Sequence, residues 1–295
     1  MELTLAQELS PRKASNLVRI AAVIVLFVFT YLPTIRDLHE KYSAIDSYYS
    51  HGYLIPLVSL FVIWQKRREL KSMKVQPSQA GLWVLGGGLL LFLLGRWWYV
   101  NFVSALSMLV VLGGLSLYLF GKAITRAVEF PLALLLFMIP LPKIAIIYIT
   151  FWLKLQAAYG AAEVVTAMGV PTLLRGAFIE LPNAVVEIDN ACSGLRSLIA
   201  LTALGVIWAY LLPVSVAKKC IFVLASIPIA VAANLIRIVI LVWVSYLYSP
   251  AGRAFEIADF TTGVLIFVIA GVSLYIVSKG AMAWERHRMA MAAVK

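Results

Sequence analysis

The sequence predicts an all-α integral membrane protein. Three observations carry that prediction: 62% of the 295 residues are hydrophobic, only 13% are charged, and the mean hydropathy is +0.93. A soluble chain of this length has too little interior to hide so much apolar surface. The expected architecture is a single polytopic membrane domain over 1–295, with about eight transmembrane helices, an interfacial helix over 144–170 and a short extracytoplasmic β-hairpin over 171–190.

Each element follows from the local pattern. Apolar runs at 18–35, 52–65, 80–99, 103–121, 128–142, 193–212, 220–247 and 259–279 approach the ~20 residues that span a hydrocarbon core. The runs 52–65 and 128–142 are short, and Pro140 and Pro142 break the second. No small-residue cleavage site follows the first run, so it reads as a span and not as a signal peptide. The segment 144–170 carries Lys154 and Glu163 among aromatic and small residues, the pattern of a helix lying in the interface. The ends, 1–15 and 285–295, read as disordered.

The net charge of +11 suggests a nucleic-acid binder only until the charges are sorted by side. With the N- and C-termini cytoplasmic, most of the 25 basic residues fall in cytoplasmic segments, among them Lys66, Arg67, Arg68, Lys122, Lys218 and Lys219. Counting 144–170 as a span would move Lys218 and Lys219 outside. The basic excess is therefore a topology signal, and no nucleic-acid partner is expected; the partner surface is the lipid bilayer. Arg96, beside Trp97, Trp98 and Tyr99, reads as an arginine snorkelling into an aromatic belt.

The break in helical pattern at 171–190 leads into Cys192. Two short β-prone runs flank Leu181-Pro182-Asn183-Ala184, which gives the hairpin. Asp189 and Asn190 are good N-caps for the helix over 193–212, which would set Cys192 in the first turn, where the helix dipole favours a thiolate. Arg196 would add positive charge one turn on. Cys192 packed as a small hydrophobe is the bland alternative, and Cys220, at the opposite face, reads as structural. Arg237 lies 17 residues beyond Cys220, so about 26 Å along the helix. This brings it to the depth of Cys192, with Asn234 on the same face. An intramembrane arginine is costly and is kept for a partner or a function; pairing with Glu187 or Asp189 is its structural alternative. With two cysteines and three histidines, no metal site and no cofactor are expected.

At these residues the chain resembles the exosortase/archaeosortase family of integral-membrane cysteine transpeptidases. The likeness runs from about residue 45 to 275 and rests on Glu187-Ile-Asp-Asn-Ala-Cys192-Ser-Gly-Leu-Arg196, Asn234-Leu-Ile-Arg237 and Ser50-His51-Gly-Tyr. The resemblance implies cleavage of the C-terminal sorting signal of exported proteins at the outer face of the cell membrane. That signal is a short motif such as Pro-Glu-Pro, a transmembrane helix and a basic tail. It implies Cys192 as nucleophile and Arg237 at the oxyanion or substrate carboxylate, and it makes Arg196, Asn234, Ser193, Glu187 and Asp259 candidates for holding substrate. The family's third catalytic residue, a histidine or an arginine at the start of the last span, falls at Ala258, and no histidine occurs in 52–286. Arg253 or His51 would have to serve instead, each with an ordinary loop role as its alternative. Asp259 orients a base or the Arg237 guanidinium, or simply caps the last helix.

Two functions therefore compete: a membrane cysteine peptidase/transpeptidase, and a catalytically impaired scaffold or binding partner in protein sorting or exopolysaccharide assembly. A transporter would place its polar residues near the midplane in paired halves, and they gather here at one face.

Overall fold

The computed structural model describes residues 11–44, 47–248 and 252–293. Eleven α-helices and one small sheet occur among them, and backbone contacts divide the chain into two units.

The first unit spans 1–43 and 72–127. It contains α1 (Pro11–Ser43), α4 (Ala80–Trp97), α5 (Asn101–Phe120) and the short α6 (Lys122–Ala127). Gly81, Gly88 and Gly95 recur every seventh residue and so share one face of α4. Each lies where a Cβ would collide with α5: at 2.3 Å from the Tyr118 backbone, 2.7 Å from Val111 and 2.7 Å from Ser104. Small residues thus let the two backbones approach, as expected where lipid leaves packing as the main cohesive force. Tyr31 and Ser107 join α1 to α5 by a hydroxyl pair at 3.0 Å. Arg96, expected to snorkel alone, donates to Asp37 of α1 at 3.1 Å, while its neighbours Trp97, Trp98 and Tyr99 are exposed.

The second unit spans 44–71 and 128–295. Here α2 (Leu54–Gln65) and α3 (Arg67–Ser72) precede α7 (Glu129–Leu134) and a 3-10 turn over Leu135–Met138. As the prolines predict, the chain then breaks, and Pro142 precedes α8 (Lys143–Ala167). Three strands follow, β1 (Leu173–Arg175), β2 (Phe178–Glu180) and β3 (Val185–Glu187), then α9 (Leu195–Leu211), α10 (Val216–Leu247) and α11 (Arg253–Ala293).

Six helices among the described residues are long and apolar enough to cross a membrane: most of α1, α4, α5, α8, α10 and most of α11; α9 and the stretch 129–138 are shorter. The chain is a multi-pass membrane protein. Helix α8, expected to lie flat, is continuous over 25 residues and meets the length and hydropathy of a span. Its exposed face carries Ile147, Tyr148, Phe151, Trp152 and Tyr159, whereas Lys154 turns inward and is only 17% exposed. Glu163, another charge on this helix, is exposed. At the other end of the chain, the expected disorder over 285–295 gives way to helix as far as Ala293, and 1–10 lie outside the described residues.

The sheet holds one strand more than the expected hairpin. β1 pairs with β2 around Gly176-Ala177, and β2 pairs with β3, both antiparallel. Ile179 and Val186 point inward while Phe178, Val185 and Glu187 point out, the period-two alternation of a strand with one covered face. Those inward residues pack with Ala158, Ala161 and Val165 of α8 and Ile238 and Val242 of α10. A second cluster, Leu201, Ala230, Ala233, Ile266 and Ala270, ties α9, α10 and α11 together. The loop between β3 and α9 is thus fixed at the meeting point of four packed elements.

Candidate active site

Cys192 lies on that loop. β3 ends at Glu187, Ile188 donates its N–H to the Ala177 carbonyl at 2.9 Å, and Asp189 is extended. Residues Asn190–Ser193 then form a 3-10 turn, closed by the Cys192 N–H on the Asp189 carbonyl at 3.0 Å. The Ser193 hydroxyl donates to the Asn190 carbonyl at 2.7 Å and accepts from the Leu195 N–H at 3.4 Å. Both bonds lie within the turn, so the hydroxyl braces the backbone around Cys192.

Gly194 joins turn to helix. Its φ of +84° is the left-handed conformation, and a Cβ there would sit 2.7 Å from Cγ and Nδ2 of Asn234. That gap lets Asn234, buried on α10, donate from Nδ2 to the Cys192 carbonyl at 3.1 Å. One turn further along α10, the Arg237 guanidinium donates to Asp259 of α11 at 2.6 Å. Of the alternatives for Asp259, the structure takes the arginine partner; α11 begins at Arg253, six residues earlier, so Asp259 caps nothing. Among the described residues the ion pair of Arg237 is with Asp259, and Glu187 pairs instead with Lys154 at 3.7 Å.

The electrostatics differ from the expectation. Because α9 begins only at Leu195, Cys192 precedes its first turn and lacks the helix N-terminus that was to favour a thiolate. Burial is the largest influence and pushes the thiol above its ordinary value; Arg237 and Lys154 pull it down, and Asp259 and Asp189 push it up. Arg196 is not among the charges acting on the thiol. It is half-buried on α9, forms no ion pair among the described residues, and leaves its Nε unpartnered.

Neither candidate for the third role is among the charges that act on the Cys192 thiol. Arg253 is exposed at the start of α11, about 9 Å along the axis from Asp259, and pairs with no carboxylate among the described residues. His51 lies in the 3-10 turn Ser50–Tyr53 beside Tyr49, with ring centroids 5.9 Å apart. Its ring is buried against the Phe137 backbone; burial pushes its pKa down, and a backbone contact with Phe137 opposes the shift. Ala258 offers only its carbonyl, which accepts from the Thr261 and Thr262 hydroxyls. Cys220 is exposed near the start of α10, not packed.

Lys154 is the residue that sequence reasoning missed as part of the site, because a charge in an apolar helix was read as a mark of the membrane interface. Its spacing of four from Thr150, on a helix that turns both inward, was the available signal. A family model described as transmembrane exosortase matches residues 42–276, which hold all of these groups. No curated protein and no solved structure matches the chain.

Proposed function

Because the chain belongs to the transmembrane exosortase family, we propose that it is a membrane cysteine transpeptidase that cuts exported proteins ahead of a C-terminal sorting helix, at the extracytoplasmic face. The observation that carries this reading is the double hold of α10 on Cys192: Asn234 clasps its carbonyl, and Arg237, steadied by Asp259, acts electrostatically on its thiol. In the reaction the Cys192 sulfur bonds to the scissile carbonyl carbon and the C–N bond breaks. The thiol proton ends on the leaving amine, and an acceptor nucleophile then displaces the thioester and returns a proton to sulfur. Arg237 is the cation suited to the oxyanion that develops in both steps. Cys192→Ala tests the assignment: full-length substrate, still carrying its helix, should accumulate on immunoblots of membranes. Continued processing would refute it.

A second reading is favoured by the residue at position 258, an alanine. Burial pushes the Cys192 thiol up, and Ala258 stands where the family resemblance places the third residue. In that reading the chain holds sorting helices without cutting them. Intact substrate that co-purifies with the wild-type protein, together with unchanged substrate length in a deletion strain, would favour it.

A further inference from the structure

At the end of the second unit away from Cys192, a cleft of about 300 Å³ opens between the turn joining α9 to α10 and the later turns of α11. Pro213, Lys279, Met282, Glu285 and Arg286 line it. Lys218, nineteen residues before Arg237 on α10, lies at this end, about 28 Å from Arg237 along the axis. Two of the basic side chains gathered here are already engaged. Lys218 is only 11% exposed; it pairs with Glu285, and its Nζ lies 4.8 Å from the centroid of the Trp284 ring. Lys219 donates to the Tyr210 carbonyl at 3.0 Å, at the C-terminus of α9, where carbonyls lack helical partners.

Lys279 and Arg286 differ from these. Both are exposed, and neither forms an ion pair among the described residues; Lys279 lies 5.3 Å from the centroid of the Tyr275 ring. The nine residues after Arg286 contain no Asp or Glu. Glu285, the one carboxylate in the wall, is neutralised by Lys218. The cleft thus presents two uncommitted cations beside one satisfied pair. Being seven residues apart, Lys279 and Arg286 share a face of α11. Ile276 and Val272, three and seven residues before Lys279, continue that face as an apolar strip, 63% and 53% exposed. Over about 21 Å, then, one face of a spanning helix passes from apolar to basic. This is the profile of the boundary between hydrocarbon and headgroups, and the exposed Trp284 marks the same boundary. A topology signal asks only for basic residues at this end. It does not ask for a concave wall whose carboxylate is cancelled from within while two cations are left open.

We infer that this cleft binds the headgroup of an anionic phospholipid. The Arg286 guanidinium takes two phosphate oxygens as a fork, Lys279 adds a point charge, and an acyl chain runs along Val272 and Ile276. Seated there, the lipid ties the α9–α10 turn to α11, the helix that carries Asp259. The inference holds whether or not the chain cuts a substrate.

The experiment titrates the full-length protein in detergent micelles with phosphatidylglycerol and, separately, with phosphatidylcholine of the same acyl chains, and counts bound lipid by native mass spectrometry. Phosphatidylglycerol should bind about thirtyfold more tightly, the scale of two basic side chains near an anionic headgroup. Lys279→Gln combined with Arg286→Gln should bring that ratio to within about twofold of unity and leave phosphatidylcholine binding unchanged. Arg68→Gln combined with Lys71→Gln, which removes the same charge from exposed positions on α3, should keep the ratio. Glu285→Gln, which takes the carboxylate out of the wall, should tighten phosphatidylglycerol, a direction that a merely structural role for the Lys218 pair does not produce. Equal affinity of the wild-type protein for the two lipids, or a ratio that survives loss of both cations, would overturn the inference. So would an equal fall in the Arg68 and Lys71 variant, the mark of diffuse surface charge, or displacement of phosphatidylglycerol by inorganic phosphate at the same concentration, the mark of a free-phosphate site. Should the Lys279 and Arg286 variant fail to insert, unchanged or weaker binding of phosphatidylglycerol to Glu285→Gln overturns it instead.

Discussion

Asn234 donates from Nδ2 to the backbone carbonyl of Cys192 at 3.1 Å, bridging 42 residues of sequence. Gly194 is what allows it, since any side chain there would occupy the space of the Asn234 amide. The hydrogen bond and the glycine are therefore one device, and they fix the Cys192 backbone to the helix that carries Arg237.

Gly194→Ala should be strongly disruptive, since it adds a left-handed strain of ~1–2 kcal/mol to the steric clash. Asn234→Ala alone should cost about 1 kcal/mol and lower processing. Because the two positions are in contact, the double variant should be less damaged than the sum of the singles. Thermal unfolding of the four proteins in one detergent checks this; strict additivity would show that the contact is immaterial.

The charges around Cys192 should be readable in the pH dependence of its alkylation. Arg237 favours the thiolate, so Arg237→Gln should move the alkylation profile to higher pH; Asp189 disfavours it, so Asp189→Asn should move the profile to lower pH. The wild-type midpoint itself should lie above that of an exposed thiol, because burial dominates.

The same shift has a stability consequence of fixed sign. A thiol whose folded value is raised binds its proton more tightly in the native state, so its contribution is present below the unfolded value and is lost as the pH rises towards the folded one. The wild-type protein should lose more stability than Cys192→Ala on going from neutral pH to pH above the ordinary thiol range. Parallel unfolding curves for the two proteins would contradict this.

If the chain is an impaired transpeptidase, Ala258→His should raise processing, by the ~10²–10⁴-fold typical of a placed general acid or base. The residue directly precedes Asp259 on α11, and Asp259 is held by Arg237. His51→Ala and Arg253→Ala should leave processing within about twofold, since neither residue acts on the thiol. An assay of substrate length in membranes measures all three, and a loss with either alanine variant would restore that residue to the mechanism.

Periodicity and composition were enough for the membrane class, the break at Pro140 and Pro142 and the β-prone stretch, because each depends on residues close in sequence. Which carboxylate holds Arg237, whether Cys192 gains a helix dipole, and that Lys154 acts electrostatically on the thiol depend on the packed chain. Asp259 is 22 residues from Arg237, and it is decided by how α11 packs on α10. The direction of the thiol's shift was likewise out of reach, because burial by β3, α8 and α10 outweighs the nearby cations, and burial is a property of the packed chain and not of the motif. The sequence alone determined what kind of molecule this is and where Cys192 falls in the chain. The tertiary structure decided which groups that cysteine meets.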